Sequence, residues 1–393
     1  MMKKLTIREM PITGKRILIR VDYNVPTDDK CNITDDTRIR ATLPTLNHIL
    51  NNRSKLILMT HLGRPKGKDE KLKLDKIAAR LEQILNRPVK KLDDCIGENV
   101  EKTITKMKEG EVVLLENLRF YPEEEANNNN FSKKLALLGD LYINDAFACS
   151  HRAHASIVGV TRYLKSGAGL LLSKEIEYLS KITESPQTPY IAILGGAKVS
   201  DKITIIENLM TKVNAIIIGG GMAYTFLRAQ GKKIGASKLE KDSLDVASRI
   251  ISNAEKSNIE IVMPVDHLVT NNIDGKGHIK IEKENISDGF SGVDIGPETI
   301  KLFTSKLQPA QTVVWNGPLG IFEIDKFFEG TRSIASALAS LKATTIVGGG
   351  ETTAAVEKAG FTSKMSHIST GGGAFLEFME GKELPGIAAL TNK

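Results

Sequence analysis

The feature that most limits what this chain can become is the return, ten times, of a short run rich in Val, Ile and Leu and bounded by turn residues. Such runs, separated by helical patterns, read as strands buried on both faces of a parallel sheet. Ile17–Val21, Leu56–Thr60, Val112–Glu116 and Leu141–Asn144 lie in the first half. Tyr190–Leu194, Ala215–Ile218, Ile259–Pro264, Thr312–Trp315, Thr345–Val347 and Ser366–Ser369 lie in the second. Ten strands exceed one comfortable sheet, and 393 residues at about 150 per domain predict two or three domains. Between the runs come apolar stripes at helical spacing: Leu74, Ile77, Leu81 and Ile84; Ile203, Ile206, Met210 and Val213; Ile334, Leu338 and Leu341. The alternation predicts an α/β chain of doubly wound parallel sheets. A further helix over Leu172–Ile182, ending before Pro186, reads as the bridge between two lobes, and Asn127–Asn130 as a solvated loop tip.

Composition decides less. An apolar content of 41% excludes disorder, and 54 Lys plus Arg against 47 Asp plus Glu leaves a charge of +7. That surplus fits a small anionic substrate as well as nucleic acid. Cys31, Cys95 and Cys149 form no Cys-x-x-Cys pair and read as reduced thiols, and no Cys/His spacing suggests zinc. The start lacks an apolar export segment, and no apolar run approaches the roughly 18 residues of a membrane span. A cytoplasmic protein without a membrane partner is expected.

In open parallel sheets ligands bind beyond the carboxyl ends of the strands. There the two halves differ. The first offers Asp22-Tyr23-Asn24, His61-Leu62-Gly63-Arg64, Asn117-Leu118-Arg119 and a segment holding His151, Arg152 and His154. The second offers Gly195-Gly196-Ala197-Lys198, Lys202, Gly219–Gly221, Asn316-Gly317-Pro318, Gly348–Gly350 before Glu351, and Gly371–Gly373. Converging guanidinium groups suit a small, densely charged anion. Glycine turns at helix N-termini suit a phosphate chain. One Gly-Gly is usually only a tight turn, but five in one half call for another explanation. The pairing predicts phosphoryl transfer between a nucleotide and an anionic substrate. Neither Gly-x-Gly-x-x-Gly nor a P-loop signature is present, which argues against an ordinary dehydrogenase or P-loop NTPase. His48, His267, His278 and His367 read as structural or surface residues, and aromatic content of 5% without basic-aromatic interleaving argues against nucleic acid.

Together these segments resemble the phosphoglycerate kinase family. The resemblance is carried, in family order, by Arg20–Pro26, His61–Pro65, Glu116–Phe120, Asn144–Phe147, His151–Ala155, Gly195–Lys202, Trp315–Pro318, Gly348–Gly350 and Ser369–Gly373. It implies two Rossmann-like lobes joined by a hinge and bridging helix. The expected division is 1–170 plus 378–393 for a phosphoglycerate lobe, 171–185 for the bridging helix and 186–377 for a nucleotide lobe. It also implies reversible transfer between 1,3-bisphosphoglycerate and MgADP, giving 3-phosphoglycerate and MgATP, by a monomer whose lobes close around their substrates. Asp22, Asn24, Arg38, His61, Arg64, Arg119 and Arg152 match the family's phosphoglycerate contacts. Lys198, Lys202, Gly292, Asn316, Glu323 and the Gly349–Thr352 turn, with Gly350 and Glu351, match its nucleotide contacts. Arg38, Lys198, Gly349, Gly371 and Gly372 match positions around the transferring group.

Two departures stand out. Glu351 occupies a position where the family usually has Asp near the nucleotide's Mg²⁺, so any metal contact there comes from a longer side chain. Ala148-Cys149-Ser150 departs from the usual small-residue pattern and brings a thiol near the expected substrate site, either as a target whose alkylation would inhibit or as a small packed residue. Another carboxylate kinase, an inactive nucleotide-binding homologue and a basic nucleic-acid module are the competing readings.

Overall fold

A computed structural model describes residues 3–393. The chain divides into two compact units, the first running to Glu177 and recovering Glu383–Lys393, the second spanning Tyr178–Lys382. Helix Leu170–Thr183, close to the helix expected at 171–185, runs from the first unit into the second, with the boundary between Glu177 and Tyr178. The return to the first unit comes at Glu383 rather than 378. Helix Gly372–Met379 stays with the second unit, where Asn208 Nδ2 donates to the Met379 carbonyl at 2.8 Å.

In the first unit six strands, β1 (Arg16–Arg20), β2 (Lys55–Met59), β3 (Val89–Lys91), β4 (Val112–Leu114), β5 (Leu141–Asn144) and β6 (Ser166–Ala168), form a parallel sheet in the order β3-β4-β2-β1-β5-β6. Ile17, Leu18 and Ile19 of central β1 are fully buried, so neither face of that strand meets water. The C-terminal tail ties in through Gly386 N–H to the Ser150 carbonyl (2.8 Å) and Asn144 Nδ2 to the Gly386 carbonyl (3.0 Å).

The second unit has a six-stranded parallel sheet of β7 (Tyr190–Leu194), β8 (Ala215–Ile218), β9 (Glu260–Val262), β13 (Thr312–Asn316), β14 (Thr344–Val347) and β15 (His367–Ile368). Its order is β15-β14-β13-β7-β8-β9. An antiparallel sheet of β10 (Asp266–Thr270), β11 (Ile279–Lys283) and β12 (Ser291–Ile295), ordered β11-β10-β12, is inserted before β13.

All ten anticipated strands are present, with ends shifted by up to two residues. The five others have different patterns. β3 and β6 are three-residue edge strands built from Val-Lys-Lys and Ser-Gly-Ala. β11 alternates Ile-Lys-Ile-Glu-Lys and is half exposed, as antiparallel strands with one wet face are. Helix Ile203–Leu209 buries Ile205, Ile206 and Leu209, one turn shorter and rotated from the anticipated stripe; Met210 is its C-cap. Helix Glu329–Ala339 buries Ile334 and Leu338, and Leu341 lies beyond its end. The Asn127–Asn130 segment is a helix start rather than a loop tip: Asn127 is left-handed at φ 49°, and the Asn128 side chain accepts from Phe131 N–H at 3.0 Å. Pro44 lies at the start of a new helix: Thr37–Ala41 ends at Thr42, and Leu43–Asn51 carries Pro44 in its first turn.

Beyond β5, fully buried Asp145 accepts from Leu172 N–H at 3.1 Å, in the first turn of Leu170–Thr183. Burial pushes its carboxyl up to about 7, while the unfolded chain titrates near 3.8. The folded state therefore holds the proton more tightly: this contribution is full below about pH 4 and is lost as pH rises to 7, on the order of a few kcal/mol. Asp145→Asn keeps the acceptor and removes the charge. Thermal melts should show its gain over the parent growing from pH 5 to pH 8; a gain independent of pH would refute the assignment.

Candidate active site

The carboxyl ends of the first sheet gather cations. Beyond β1 lie Asp22 and Asn24, beyond β2 His61 and Arg64, beyond β4 Arg119 and beyond β5 Arg152; these four strands are contiguous, so their loops emerge side by side. Arg38 reaches Asp22 from helix Thr37–Ala41, Nη1 to Oδ2, at 2.5 Å. Asn24 Oδ1 accepts from Gly63 N–H at 2.9 Å, and Arg119 Nη1 donates to the Gly63 carbonyl at 2.7 Å, so one glycine peptide region is held from two loops. Arg152 Nε lies 3.2 Å from His151 Nε2. Arg64 is exposed and makes no hydrogen bond among the described residues.

Beneath this surface is a charge pair that the sequence reading did not single out. Arg20, 1% exposed, donates from Nε to Ser156 Oγ at 2.9 Å, from Nη1 to the Val21 carbonyl and from Nη2 to His61 Nδ1 at 2.9 Å. Ser156 passes the interaction to fully buried Glu124, which accepts from its N–H (2.9 Å) and hydroxyl (2.5 Å). The surrounding positive charge weighs on the histidines. Burial first, then Arg20, Arg119 and Arg152, pushes His61 far below the usual imidazole range and His154 down to about 3. Arg119 is lowered by burial too, with Arg152 and Arg20 adding to the effect.

Asp22, His61 and Cys149 bring ligand atoms within 4.8 Å of one another, a cluster made by the fold and invisible as sequence spacing. It does not suit a cation. Arg38 occupies Asp22, Arg20 occupies His61 Nδ1, and Arg20 Nη2 lies 3.8 Å from Cys149 Sγ.

The second unit is built differently. Gly196 and Gly220, beyond β7 and β8, join Pro318 and Leu319 beyond β13, and Gly292, Val293 and Tyr224, in lining a cleft of about 430 Å³. Glu323, Glu351 and Lys238 stand at its walls. Gly292 is required by close approach, since a Cβ there would lie 1.9 Å from Tyr224 Oη. Lys202 Nζ donates to Asn316 Oδ1, whose Nδ2 donates to the Gly348 carbonyl at 2.7 Å. Burial lowers the Lys202 ammonium, against the pull of Asp201, Glu351 and Glu380. Lys198 is exposed in a turn held by Glu240, which accepts from Val199 and Ser200 N–H at 2.5 and 3.1 Å. Gly349 caps helix Gly350–Lys358 at φ 95°, where a Cβ would also lie 2.5 Å from Asn316 Nδ2. A Cβ on Gly372, at the start of helix Gly372–Met379, would lie 3.9 Å from Gly350 N, so two helix N-termini sit together. Thr352 Oγ1 accepts from Gly317 N–H at 2.6 Å. A wider groove of about 750 Å³, among Arg87, Lys90, Lys102 and Lys106, lies at the other end of the first sheet, away from these groups.

The profile of the phosphoglycerate kinase family matches residues 7–382. The chain belongs to the phosphoglycerate kinase family. It is 54% identical over 396 aligned residues to the phosphoglycerate kinase of Dictyoglomus turgidum, covering 99% of this chain and 98% of that protein. It is 51% identical to that of Moorella thermoacetica, over all of both chains. The solved phosphoglycerate kinase structure from Coxiella burnetii superposes with a TM-score of 0.91 at 39% identity, covering 98% of each chain. The structure from Pyrococcus horikoshii gives 0.84 at 33% identity, again over 98% of each. The α/β fold with two parallel six-stranded sheets is that of these phosphoglycerate kinase structures.

Besides Arg20, Glu124 and Ser156, the sequence reading passed over Glu240, Tyr224 and Lys238. Arg20 carried a signal, an arginine closing an otherwise apolar run; the others are distant in sequence from what they support. Cys149 is 4% exposed, and burial, followed by Asp22, pushes its thiol up to about 11. It packs against Ala146 and Ile157 as a protonated thiol. Iodoacetamide at pH 7.5 should leave Cys149 unmodified by mass spectrometry in the folded protein; rapid stoichiometric labelling there would refute this packing.

Proposed function

We propose that this phosphoglycerate kinase transfers a phosphoryl group reversibly between 1,3-bisphosphoglycerate and ADP, giving 3-phosphoglycerate and ATP, as a glycolytic step. The observation that carries the reading is the division of chemistry within one chain. Guanidinium groups crowd the strand ends of one unit, and a glycine-lined cleft with Lys202 and two helix N-termini marks the other.

The acceptor of the reverse reaction is a carboxylate of reference pKa about 3.5, already ionised at neutral pH, so no general base is needed. What the protein supplies is position and charge for an in-line displacement. Asp22, Asn24, His61, Arg64, Arg119 and Arg152 bind phosphoglycerate, with Arg38 oriented by Asp22. Arg38 and Lys198 neutralise the transferring group, aided by backbone N–H groups from Gly349 onward and at Gly371 and Gly372. Lys202 and Asn316 hold the nucleotide phosphates, Gly292 bounds the base cleft and Glu323 meets the ribose.

Mg²⁺ fits this cleft. Glu351, exposed on the first turn of its helix and close enough to Lys202 to shift it, offers a carboxylate at the phosphate end. Because Mg²⁺ takes most of its ligands from nucleotide phosphates and water, one carboxylate suffices. The ion would neutralise charge on the phosphate chain. The same reading makes the protein a cytoplasmic monomer without a nucleic-acid or membrane partner; no helix among the described residues is long and apolar enough to cross a membrane.

Purified protein should consume ATP with 3-phosphoglycerate in a coupled assay and not with acetate; turnover with acetate alone would favour a different carboxylate kinase. Arg38→Ala should lower kcat by roughly 10²- to 10³-fold, the usual loss for one donor at a developing charge. An unchanged kcat would remove Arg38 from the reacting centre. Glu351→Asp should hold or raise activity with Mg²⁺, whereas a loss above about tenfold, or 1.4 kcal/mol, would mean that the site is built around the longer side chain.

A further inference from the structure

Arg20 lies under the phosphoglycerate surface rather than on it. It ends β1, is 1% exposed, and spends its donors on Ser156, the Val21 carbonyl, His61 and the edge of Cys149. A guanidinium has donors only and does not deprotonate in proteins. In its 2.9 Å contact with His61, the imidazole Nδ1 must therefore be the acceptor. A neutral imidazole that accepts at Nδ1 carries its proton on Nε2. His61 is itself 4% exposed, and among the described residues no hydrogen bond engages Nε2.

We propose that Arg20 is a positioning residue that locks His61 as the neutral, Nε2-protonated tautomer, so that His61 offers the phosphoglycerate an aimed N–H donor instead of a charge. The groups around the ring agree. Arg20, Arg119, Arg152 and His154 all oppose protonation of His61, while Asp22 and Cys149 are its close neighbours. Glu124 balances Arg20 through Ser156, which keeps the guanidinium charged and in place without a carboxylate touching the imidazole. A charged histidine would lose or gain its proton with pH and would repel the adjacent arginines. A tautomer fixed from behind keeps one donor direction across the working range. This rests on the phosphoglycerate reading only for what Nε2 meets; the tautomer itself is a property of the free protein.

The first test is two-bond ¹H–¹⁵N correlation of histidine-labelled, ligand-free protein, with His61 identified among the seven histidines by its absence in His61→Gln. The expected pattern is a protonated Nε2 and an acceptor Nδ1, unchanged from pH 5 to pH 8. A protonated Nδ1, or a His61 that titrates in that interval, overturns the proposal whether or not the protein turns over phosphoglycerate. In the second test, the double variant Arg20→Met/Glu124→Gln, which leaves no unpaired buried charge, should release the lock. His61 should then show mixed tautomers or titrate between pH 5 and pH 8, and an unaltered His61 pattern would overturn the role of Arg20. Arg20→Lys keeps charge and donor and should retain the Nε2–H form; loss of that form would mean that a cationic donor is not what fixes it. Finally, the amide nitrogen of Gln reproduces Nε2 and that of Asn reproduces Nδ1. His61→Asn should raise KM for 3-phosphoglycerate by about 10- to 100-fold, as for a lost hydrogen bond to a charged group, and His61→Gln far less. Equal KM for the two variants would deny the donor role, while a normal tautomer with no turnover at all would fault the functional reading alone.

Discussion

The placement of the polar chemistry follows from one constraint: the central strands of the two large sheets are buried on both faces. Ile17, Leu18 and Ile19, or Val313, Val314 and Trp315, leave no side of the strand for chemistry. A charged side chain within such a run would face the core at a penalty of several kcal/mol. The charged residues of these central strands are confined to the ends, and parallel pairing sends all carboxyl ends to one edge of each sheet. In-register pairs such as Arg20 with Met59 and Asn144 place the residues that follow in adjacent loops. The site is thus a by-product of how the strands are buried.

Crowding cations at such an edge raises a second problem, their mutual repulsion. Arg20, Arg119 and Arg152 act on one another and on His61 and His154. Two of the cations at this edge have a carboxylate beside them, Arg38 with Asp22 and Arg119 with Glu125 at 3.2 Å. The fully buried counter-charge of Arg20, Glu124, lies one layer down and is joined to it by the Ser156 hydroxyl. Removing one partner of such a pair typically costs about 3–5 kcal/mol.

What could be read in advance follows from this arrangement. Buried parallel strands announce themselves as continuous apolar runs, so the sheets and the loops beyond them were legible: Arg119, Arg152, Lys202 and Asn316 all follow recognisable strands. The antiparallel insert was not legible, because Ile-Lys-Ile-Glu-Lys in β11 alternates and never forms a run. Nor were supporting residues, since Glu124 lies 104 positions from Arg20 in sequence and Glu240 is 40 from Ser200. Such partners have no spacing rule; only the completed fold decides which acid meets which base. The boundary at Glu383 was misjudged for a similar reason, because an apolar helix such as Gly372–Met379 does not state which core it joins.

On the proposed function the two units handle anions by different physics, and the difference bears on rigidity. In the first, long side chains do the work, and three of its arginines are held: Arg38 by Asp22, Arg119 by the Gly63 carbonyl, Arg20 by Ser156. A flexible guanidinium would surrender side-chain entropy on every binding event, and these tethers remove much of that loss beforehand. In the second, backbone N–H groups at Gly350 and Gly372 are fixed by their helices and need only the absence of a Cβ. That solution requires few tethers but tolerates little substitution, because a Cβ on Gly349 would enter Asn316, whose Oδ1 holds Lys202. The first edge thus derives its precision from hydrogen bonds that brace mobile cations, the second from glycines that allow rigid helices to approach.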